Sequence, residues 1–468
     1  NDVASEPFRH WDGEDPAEVP TACARCHSTA GYQDFLGADG SEAGKVDAAV
    51  PAANSQGIQC VACHNPVAST LNSVAFPGFE TDEEGNPVPY VVEGFGDASR
   101  CLVCHQGRES KASVDAQIAR FAVEDVDAVV VPIKDDQGND VRFGFRNIHY
   151  FAAAATLYGT EVKGGYEYEG KLYDAKHDHV EGYDTCIGCH DPHTLKVKVE
   201  QCATCHGEGV TTEGGLKNIR EPQASAWDYD GDGNVEEGMY YEVEGLQAAL
   251  LAEIKTYAAD KAGTGITYDP AIYPYFLADA DGDGVADQGE NGVVGYSTWT
   301  ARLLKAAYNY QVSLKDPGAF AHGNKYIVQL LYDSIEDLGG DVSKFTRNDA
   351  GHFAGNTEPF RHWDADGEVP YSCVKCHTAG GLPEFIKNGG TVATTGVGAI
   401  VTSGVGAREP SNGFACSTCH NEAAWPERYA VTTVPFPSGA SITFSKPDAD
   451  GKLIPDDANL CLECHQGQ

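Results

Sequence analysis

The stretch CIGCHDPH, residues 186–193, contains two histidines, and the motif at its start accounts for one of them. Cys186, Cys189 and His190 form Cys-x-x-Cys-His, the signature for covalent attachment of a c-type haem, in which two thioethers hold the porphyrin and the histidine binds the iron. His193 lies outside this motif. Its role depends on whether the rest of the chain repeats the same pattern.

The motif accounts for every cysteine in the chain. All 16 cysteines of the 468 residues fall into eight copies of it. A lone Cys-x-x-Cys is more often a zinc or redox motif, and zinc ribbons or disulfides are the alternative here, but a histidine after each of eight pairs favours haem. We therefore predict eight covalently bound haem c groups. They are numbered as sites in chain order: site 1 at residues 23–27, site 2 at 60–64, site 3 at 101–105, site 4 at 186–190, site 5 at 202–206, site 6 at 373–377, site 7 at 416–420 and site 8 at 461–465.

Each site supplies two attachment cysteines and one proximal histidine. The attachment residues are Cys23, Cys26, Cys60, Cys63, Cys101, Cys104, Cys186, Cys189, Cys202, Cys205, Cys373, Cys376, Cys416, Cys419, Cys461 and Cys464. The proximal iron ligands are His27, His64, His105, His190, His206, His377, His420 and His465.

The histidines outside the motifs match the number of haems. We predict that these eight are the distal iron ligands: His10, His149, His177, His179, His193, His322, His352 and His362. The chain has a single methionine, Met239, so His/Met ligation is available to one haem at most. His193 would bind a haem other than that of site 4, because it would have to pass around the porphyrin edge to reach the opposite face.

Ligation by two histidines predicts electron transfer. Two imidazoles leave the iron no open position for a substrate, and without a methionine sulfur the reduction potential should be low. Cys186 and Cys202 begin motifs 16 residues apart, which predicts one closely placed pair of haems. The haems would then pass single electrons along a continuous path.

A three-haem unit occurs twice in the sequence. EPFRHWD stands at residues 6–12 and again at 358–364, and each copy leads into similar motif segments, such as ASRCLVCHQGRE and ANLCLECHQGQ. We predict a five-haem module at 1–207, a haem-free and partly helical insert at 208–345, and a three-haem module at 346–468 that repeats 1–109.

The insert carries the strongest helical signals. EGLQAALLAEIKTYAADKA and NKYIVQLLYDSIEDLG place apolar residues at intervals of three and four. Outside it, VVVPIKDDQGNDVRFGF and YEYEGKLYD predict hairpins, the second with its turn at Glu169 and Gly170. The expected fold is a multihaem cytochrome c: mostly loops and short α-helices, with a few β-hairpins, wrapped around a chain of eight haems.

Two acidic loops of the insert match the calcium-loop pattern. In DADGDGVADQGE the candidate ligands are Asp279, Asp281, Asp283, Asp287 and Glu290. In DYDGDGNVEEGM they are Asp228, Asp230 and Asp232, but Met239 stands where the bidentate acid belongs, so Glu236 or Glu237 would have to substitute. We expect one or two structural Ca²⁺ ions; the alternative is a solvated acidic turn.

Charge and hydropathy restrict the partners. The formal charge of −38 excludes nucleic acid, which needs a basic face. It leaves cations, mineral surfaces and basic redox partners, unless the acidity serves solubility alone. No apolar run reaches the roughly 18 residues of a membrane helix. The start at NDVASEPF fits a processed, exported form, extracellular or at the cell surface, with the periplasm as the second expectation.

The eight motifs and the eight further histidines resemble the multihaem c-type cytochromes of anaerobic, metal-respiring microbes, including those that polymerise outside the cell into haem-lined filaments. The resemblance leaves out the insert. It implies haems in alternating parallel and T-shaped stacks, sparse secondary structure and extracellular electron transfer. Multihaem reductases of this family usually have an odd ligand at one haem, whereas all eight motifs here end in histidine.

The leading function is a non-enzymatic electron conduit whose partners are redox proteins or mineral and electrode acceptors. The alternative is an octahaem reductase of a nitrogen or sulfur oxyanion, and a calcium-stabilised scaffold is a third reading. Complementary gaps suggest head-to-tail self-association: His322 and His352 precede the second repeat without counterparts before the first, while 149–193 carries histidines without counterparts after the second.

Overall fold

A computed structural model describes residues 6–55, 57–81, 87–177, 179–180, 182–220, 227–290, 292–349, 351–364, 369–390 and 413–467. Most helices are short. The α-helices are Glu6–Arg9, Thr21–His27, Thr29–Phe35, Cys60–Cys63, Pro66–Ser69, Ser99–His105, Lys111–Arg120, Ala153–Tyr158, Cys186–Cys189, Val199–His206, Glu213–Leu216, Met239–Tyr257, Ala301–Lys315, Ala319–His322, Asn324–Leu338, Glu358–Arg361, Tyr371–His377, Gly381–Lys387, Cys416–Cys419 and Ala458–Cys464. Met239–Tyr257 continues into a π-helical segment, Ala258–Ala262.

The strands form two-stranded antiparallel pairs. They are Glu18–Val19 with Val50–Pro51, Ser73–Thr81 with Pro87–Glu93, Ile133–Lys134 with Asp140–Val141, Ile266–Tyr268 with Phe276–Ala278, Gln288–Gly289 with Gly292–Val293, Val434–Pro435 with Ser441–Ile442, and Lys446–Pro447 with Leu453–Ile454. Together with the short helices, these pairs agree with the predicted fold class.

A helical turn underlies every haem motif. At sites 2, 4 and 7 the helix is four residues long and runs from the first cysteine to the second, as in Cys186–Cys189. At the other sites the motif lies at the end of a helix of seven or eight residues. One turn brings residues three apart onto the same side, so both cysteines can reach one porphyrin.

The largest hydrophobic core lies around three helices of the insert. Met239–Tyr257, Ala301–Lys315 and Asn324–Leu338 pack together, and both helices predicted in the insert are confirmed. Residues 114–173 contribute side chains to the same core, among them Val114 and Ile148. The boundary at residue 207 therefore does not separate two hydrophobic cores, although it does separate haem motifs from the haem-free segment.

One predicted hairpin is present and the other is wrong. Ile133–Lys134 pairs with Asp140–Val141, as VVVPIKDDQGNDVRFGF predicts. YEYEGKLYD turns at Glu169 and Gly170, but its two arms do not form strands in the structure. Tyr168 instead donates its hydroxyl to Ser334 at 3.1 Å, so the alternating tyrosines pack against helices rather than across a hairpin.

In the part of the chain that the structure describes, no helix combines the length and the apolar character needed to cross a bilayer.

Candidate haem sites and cation loops

Backbone carbonyls orient several proximal histidines. In the described residues, Nδ1 of five of them lies 2.7–3.3 Å from a carbonyl oxygen: His27 with Pro7, His105 with Phe151, His190 with Leu195, His377 with Pro359, and His420 with Pro426. A carbonyl oxygen only accepts, so Nδ1 carries the proton. The lone pair is then on Nε2, which is the arrangement of a metal-binding imidazole.

Non-motif histidines face five of the proximal histidines within the described chain. The ring centroids are 5.8–6.3 Å apart in the pairs His27–His149, His64–His193, His190–His322, His206–His179 and His465–His352. Metal–imidazole bonds of about 2.0–2.1 Å would separate the centres of two rings that share an ion by roughly 6 Å. The observed separations therefore fit one iron between the rings of each pair.

The environment of His149 also fits a bound metal. Its Nδ1 is buried and has no hydrogen-bond partner among the described residues. Burial, followed by the charges of Arg108, His27 and Lys315, lowers the pKa of His149 to about 4. The ring is therefore neutral at physiological pH, and neutral imidazole is the form that binds iron.

Contacts between cysteines connect neighbouring sites. Direct thiol contacts join Cys26 to Cys104 and Cys101 to Cys186, which places site 3 next to sites 1 and 4. Electrostatic interaction between Cys63 and Cys101 places site 2 near site 3 as well. Site 3 is thus a junction in the first module.

Further cysteine contacts connect site 4 with site 5, and connect sites 6, 7 and 8 with one another. Cys189 interacts with Cys202, which places site 4 near site 5, as the spacing of the two motifs predicts. In the second module, Cys376 contacts Cys464, so site 6 adjoins site 8. Cys419 interacts with Cys461, so site 7 also lies near site 8.

The two similar sequence segments, each with three Cys-x-x-Cys-His motifs, share local geometry. Trp11 lies 5.2 Å from the ring of His27, and Trp363 lies 5.2 Å from the ring of His377. The contact between Cys26 and Cys104 has its counterpart between Cys376 and Cys464.

A glycine occupies the same tight position in both segments. A Cβ at Gly31 would lie 2.3 Å from the carbonyl oxygen of Ala24, and one at Gly381 would lie 2.0 Å from that of Val374. In both segments the helix after the motif approaches the motif backbone too closely for any side chain at this position.

The other three predicted distal ligands make contacts of different kinds. The ring of His10 lies 5.0 Å from Trp11, and the ring of His362 lies 4.8 Å from Trp363. The exposed His362 also donates from Nδ1 to Glu358 at 2.6 Å. The backbone N–H of His177 donates to the carbonyl oxygen of Leu157 at 2.8 Å.

Sequence reasoning missed a carboxylate beside one predicted ligand. Nδ1 of His322 lies 2.9 Å from both side-chain oxygens of Asp316. The spacing of six residues across DPGAFAH belongs to no motif that would have indicated it.

The first acidic loop brings three predicted ligands together. Carboxylate oxygens of Asp279, Asp281 and Asp283 lie within 4.8 Å of one another. Oδ2 of Asp279 accepts from the N–H of Gly284 at 3.1 Å, whereas its Oδ1 is buried without a hydrogen-bond partner among the described residues. A buried carboxylate oxygen with no donor fits a cation ligand.

Two predicted ligands of this loop lie outside that group. Asp287 stays beside the loop, where its Oδ2 accepts from the N–H of Ala280 at 3.1 Å. Glu290 is exposed, because it lies in the turn between strands Gln288–Gly289 and Gly292–Val293. Glu290 therefore lies outside the group of three carboxylates, and its role as a twelfth-position ligand stays a prediction.

The second acidic loop forms two overlapping groups. Asp230 lies with Asp232 and Glu237 in one group, and with Asp228 and Glu242 in the other. Of the two acids that the sequence left open, Glu236 and Glu237, it is Glu237 that lies beside the loop carboxylates. Sequence reasoning missed Glu242 because it lies beyond the loop pattern.

Negative charge is concentrated at Asp230. Burial, followed by the charges of Asp232, Glu242 and Glu237, raises the pKa of Asp230 to about 7. Met239, at the position of the bidentate acid, is buried in the hydrophobic core and not directed at the loop. Arg220 forms an ion pair with Glu242 at 2.5 Å and offsets part of the negative charge.

Two curated proteins of Geobacter sulfurreducens are similar to the chain. It is 27% identical over 385 residues to "C-type polyheme cytochrome OmcB", an alignment that covers 70% of the chain and 44% of OmcB. It is 27% identical over 398 residues to "C-type polyheme cytochrome OmcC", covering 72% and 45%. The chain thus spans less than half the length of these relatives. No family model matches it, and no solved structure does.

Proposed function

Because the chain is a relative of polyhaem c-type cytochromes, as its resemblance to multihaem cytochromes predicted, we propose that it carries eight haems and passes single electrons between them outside the cytoplasm. A bound haem supplies a one-electron iron couple, and the chain's residues fix its ligands and spacing. The observation that carries the proposal is the set of five proximal histidines that each face a second histidine.

The residues assigned to this role are the 16 cysteines, the eight proximal histidines and the eight distal histidines predicted from the sequence. The cysteine contacts support a path through sites 1 to 5 and another through sites 6 to 8. The matching geometry of the two three-haem segments supports the proposed duplication.

The test of this function is the haem content and the iron spin state of the purified protein. We expect eight haems per chain by pyridine haemochrome assay and mass spectrometry. Optical and EPR spectra should contain only low-spin ferric iron, because two imidazoles occupy both axial positions. A high-spin signal from one haem in eight would instead favour the reductase, which needs an open coordination position.

We further propose extracellular acceptors and head-to-tail self-association. His352 faces His465 at site 8, and His149 faces His27 at site 1. By repeat equivalence, a histidine placed as His352 is would serve site 3, and one placed as His149 is would serve site 6. An adjoining copy would place a histidine at such a position.

Electron microscopy of the native material tests the association. Filaments with haems continuous across the junction are the expected result. Isolated particles in which all eight irons are low-spin would contradict it, because each chain would then supply all of its own ligands.

The acidic loops are proposed to hold one or two Ca²⁺ ions that fix the insert. The candidate ligands are Asp279, Asp281, Asp283 and Asp287 in the first loop, and Asp228, Asp230, Asp232 and Glu237 in the second. The buried Oδ1 of Asp279 without a donor supports the first loop, and the crowded carboxylates around Asp230 support the second.

Removal of calcium with EGTA should lower the melting temperature. An ion that binds only the folded state adds about 2.7 kcal/mol to the free energy of unfolding at 100 times its Kd. Calorimetry with and without calcium measures the effect, and D281N should reduce it.

A hairpin turn outside the acidic loops provides the matched control. Asp135 accepts from the N–H groups of Gln137 and Asn139 at 2.9 and 2.8 Å, in a turn that does not belong to the acidic groups described above. D135N should leave the response to calcium unchanged. Equal melting temperatures with and without calcium would show that the acidic loops are solvated turns.

A further inference from the structure

A buried carboxylate is bonded to the distal histidine candidate of site 4. Both oxygens of Asp316 lie 2.9 Å from Nδ1 of His322, and the Asp316 side chain is 1% exposed. A carboxylate only accepts, so Nδ1 donates the proton. Nε2 then has the available lone pair, on a ring whose centre lies 6.3 Å from that of His190.

The local backbone holds this pair in place. Asp316 directly follows helix Ala301–Lys315, and its Oδ1 also accepts from the N–H of Gly318 at 3.0 Å. Gly318 allows the His322 ring to lie against the chain, because a Cβ there would be 2.6 Å from Cε1 of that ring. The histidine and the carboxylate are therefore positioned by the turn 316–322 itself.

The neighbouring cation, Lys315, is directed away from the carboxylate of Asp316. The ammonium group of Lys315 lies 3.3 Å from the ring centre of Tyr150 and 4.2 Å from that of Tyr275. These contacts hold the Lys315 ammonium group on the side of the helix end that is near His149, away from the carboxylate of Asp316. The charge of Asp316 thus acts mainly on the His322 imidazole.

Six other imidazoles at the haem sites have no carboxylate on Nδ1 in the described structure. The proximal histidines that the structure orients, including His190, donate to neutral backbone carbonyls. Nδ1 of His149 has no hydrogen-bond partner among the described residues. A carboxylate partner makes a metal-bound imidazole more basic than a carbonyl does, and a more basic ligand favours ferric over ferrous iron.

We propose that Asp316 is a positioning residue that makes the reduction potential of site 4 more negative than a neutral partner of His322 would. The inference rests on the proposed function, because it takes His190 and His322 as the ligands of one iron. The couple is Fe(III) plus one electron to Fe(II), and the electron comes from the ferrous iron of a neighbouring site. An electron that passes between site 5 and the junction at site 3 would then have to pass through a haem that is harder to reduce.

Asp316→Asn in the full haem-loaded chain tests the proposal. Asparagine keeps the size and an accepting oxygen but removes the charge. Spectroelectrochemical titration followed by EPR should show that one eighth of the haem becomes easier to reduce. We expect the ferric-to-ferrous ratio of that haem at a fixed potential to fall about tenfold, which corresponds to ~59 mV. Asp316→Ser, which is smaller, provides a second neutral variant if Asn impairs haem loading.

Two further variants assign and control the effect. His322→Met marks site 4, because methionine ligation raises the potential of the haem it binds. Glu358→Gln removes the carboxylate that accepts from Nδ1 of His362 at 2.6 Å, where the side chains are 58% and 76% exposed. Water screens that pair, so E358Q should shift no haem to the same extent.

The outcomes separate the inference from the function on which it rests. A shift of the same haem in D316N and H322M supports the proposal. If D316N shifts no reduction potential, or shifts all of them equally, the proposal for Asp316 is wrong. An altered haem in H322M would still support His190 and His322 as the ligands of one iron. If H322M leaves every haem unchanged, His322 is not an iron ligand and the proposed ligation of site 4 is wrong.

Discussion

Replacing both cysteines of site 3 with serine should interrupt electron transfer between site 1 and site 4. The thiols of Cys104 and Cys101 contact Cys26 of site 1 and Cys186 of site 4, so the haem of site 3 would lie between the other two. The variant C101S/C104S should retain seven haems and lose fast equilibration between the separated groups. Rapid photoreduction followed by optical spectroscopy measures that equilibration, and film conductance measures its consequence.

Loss of a different haem supplies the control. Cys202 of site 5 interacts electrostatically with Cys189 of site 4 and with Cys205 of its own motif. C202S/C205S should therefore also retain seven haems while leaving the connections among sites 1 to 4 intact. Equal loss of conductance in the two variants would show that site 3 is not a junction.

A substitution that retains the haem provides a second measurement. H105M leaves both thioethers of site 3 and changes only the proximal ligand. Methionine raises the reduction potential, so electrons should accumulate at site 3 and equilibration across it should slow. Unchanged kinetics in both H105M and C101S/C104S would place the electron path elsewhere.

The candidate haem attachment sites could be predicted from the sequence because covalent attachment requires a local motif. A porphyrin attached through Cys-x-x-Cys-His needs its residues on one helical turn, so the motif is local and complete wherever it occurs. The pairing of histidines is not local. His27 faces His149, and His190 faces His322, across more than a hundred residues, and no spacing rule connects the two members of a pair. The sequence therefore predicts a set of candidate ligands, but it does not predict which histidines form pairs.

The structure differs from the local sequence pattern where tertiary packing overrides that pattern. YEYEGKLYD alternates as a strand does, but Tyr166, Tyr168 and Tyr173 are buried in the core around the insert helices. Glu290 fits the twelfth position of a calcium loop, but a two-residue strand pair begins before it and carries it to the surface. Asp316 belongs to no motif at all, since its relation to His322 depends on how a helix ends.

The shared core leads to the second large expected effect, a loss of stability in L330A. Leu330, in helix Asn324–Leu338, is fully buried and packs on the backbone of Gly165, where a Cβ would lie 2.2 Å from its Cδ1. Its truncation leaves a cavity between the insert and the five-haem module. We expect the free energy of unfolding to fall by about 2–5 kcal/mol in chemical denaturation. L172A, at a leucine that is 44% exposed near the same segment, should change it by less than about 0.5 kcal/mol.

The same variant should also affect the ligation of site 4 on heating. His322 lies in the segment without haem motifs but faces His190, so partial unfolding of that segment would remove a proposed ligand. In L330A the low-spin signal of one haem should be lost together with the helical far-UV signal, at a lower temperature than in the unsubstituted protein. The pair His64–His193 uses no residue of residues 208–345 and should stay low-spin through that transition. Melting of the helices with every haem still low-spin would mean that the insert unfolds independently and supplies no ligand, because a bound His322 ties the segment to the haem.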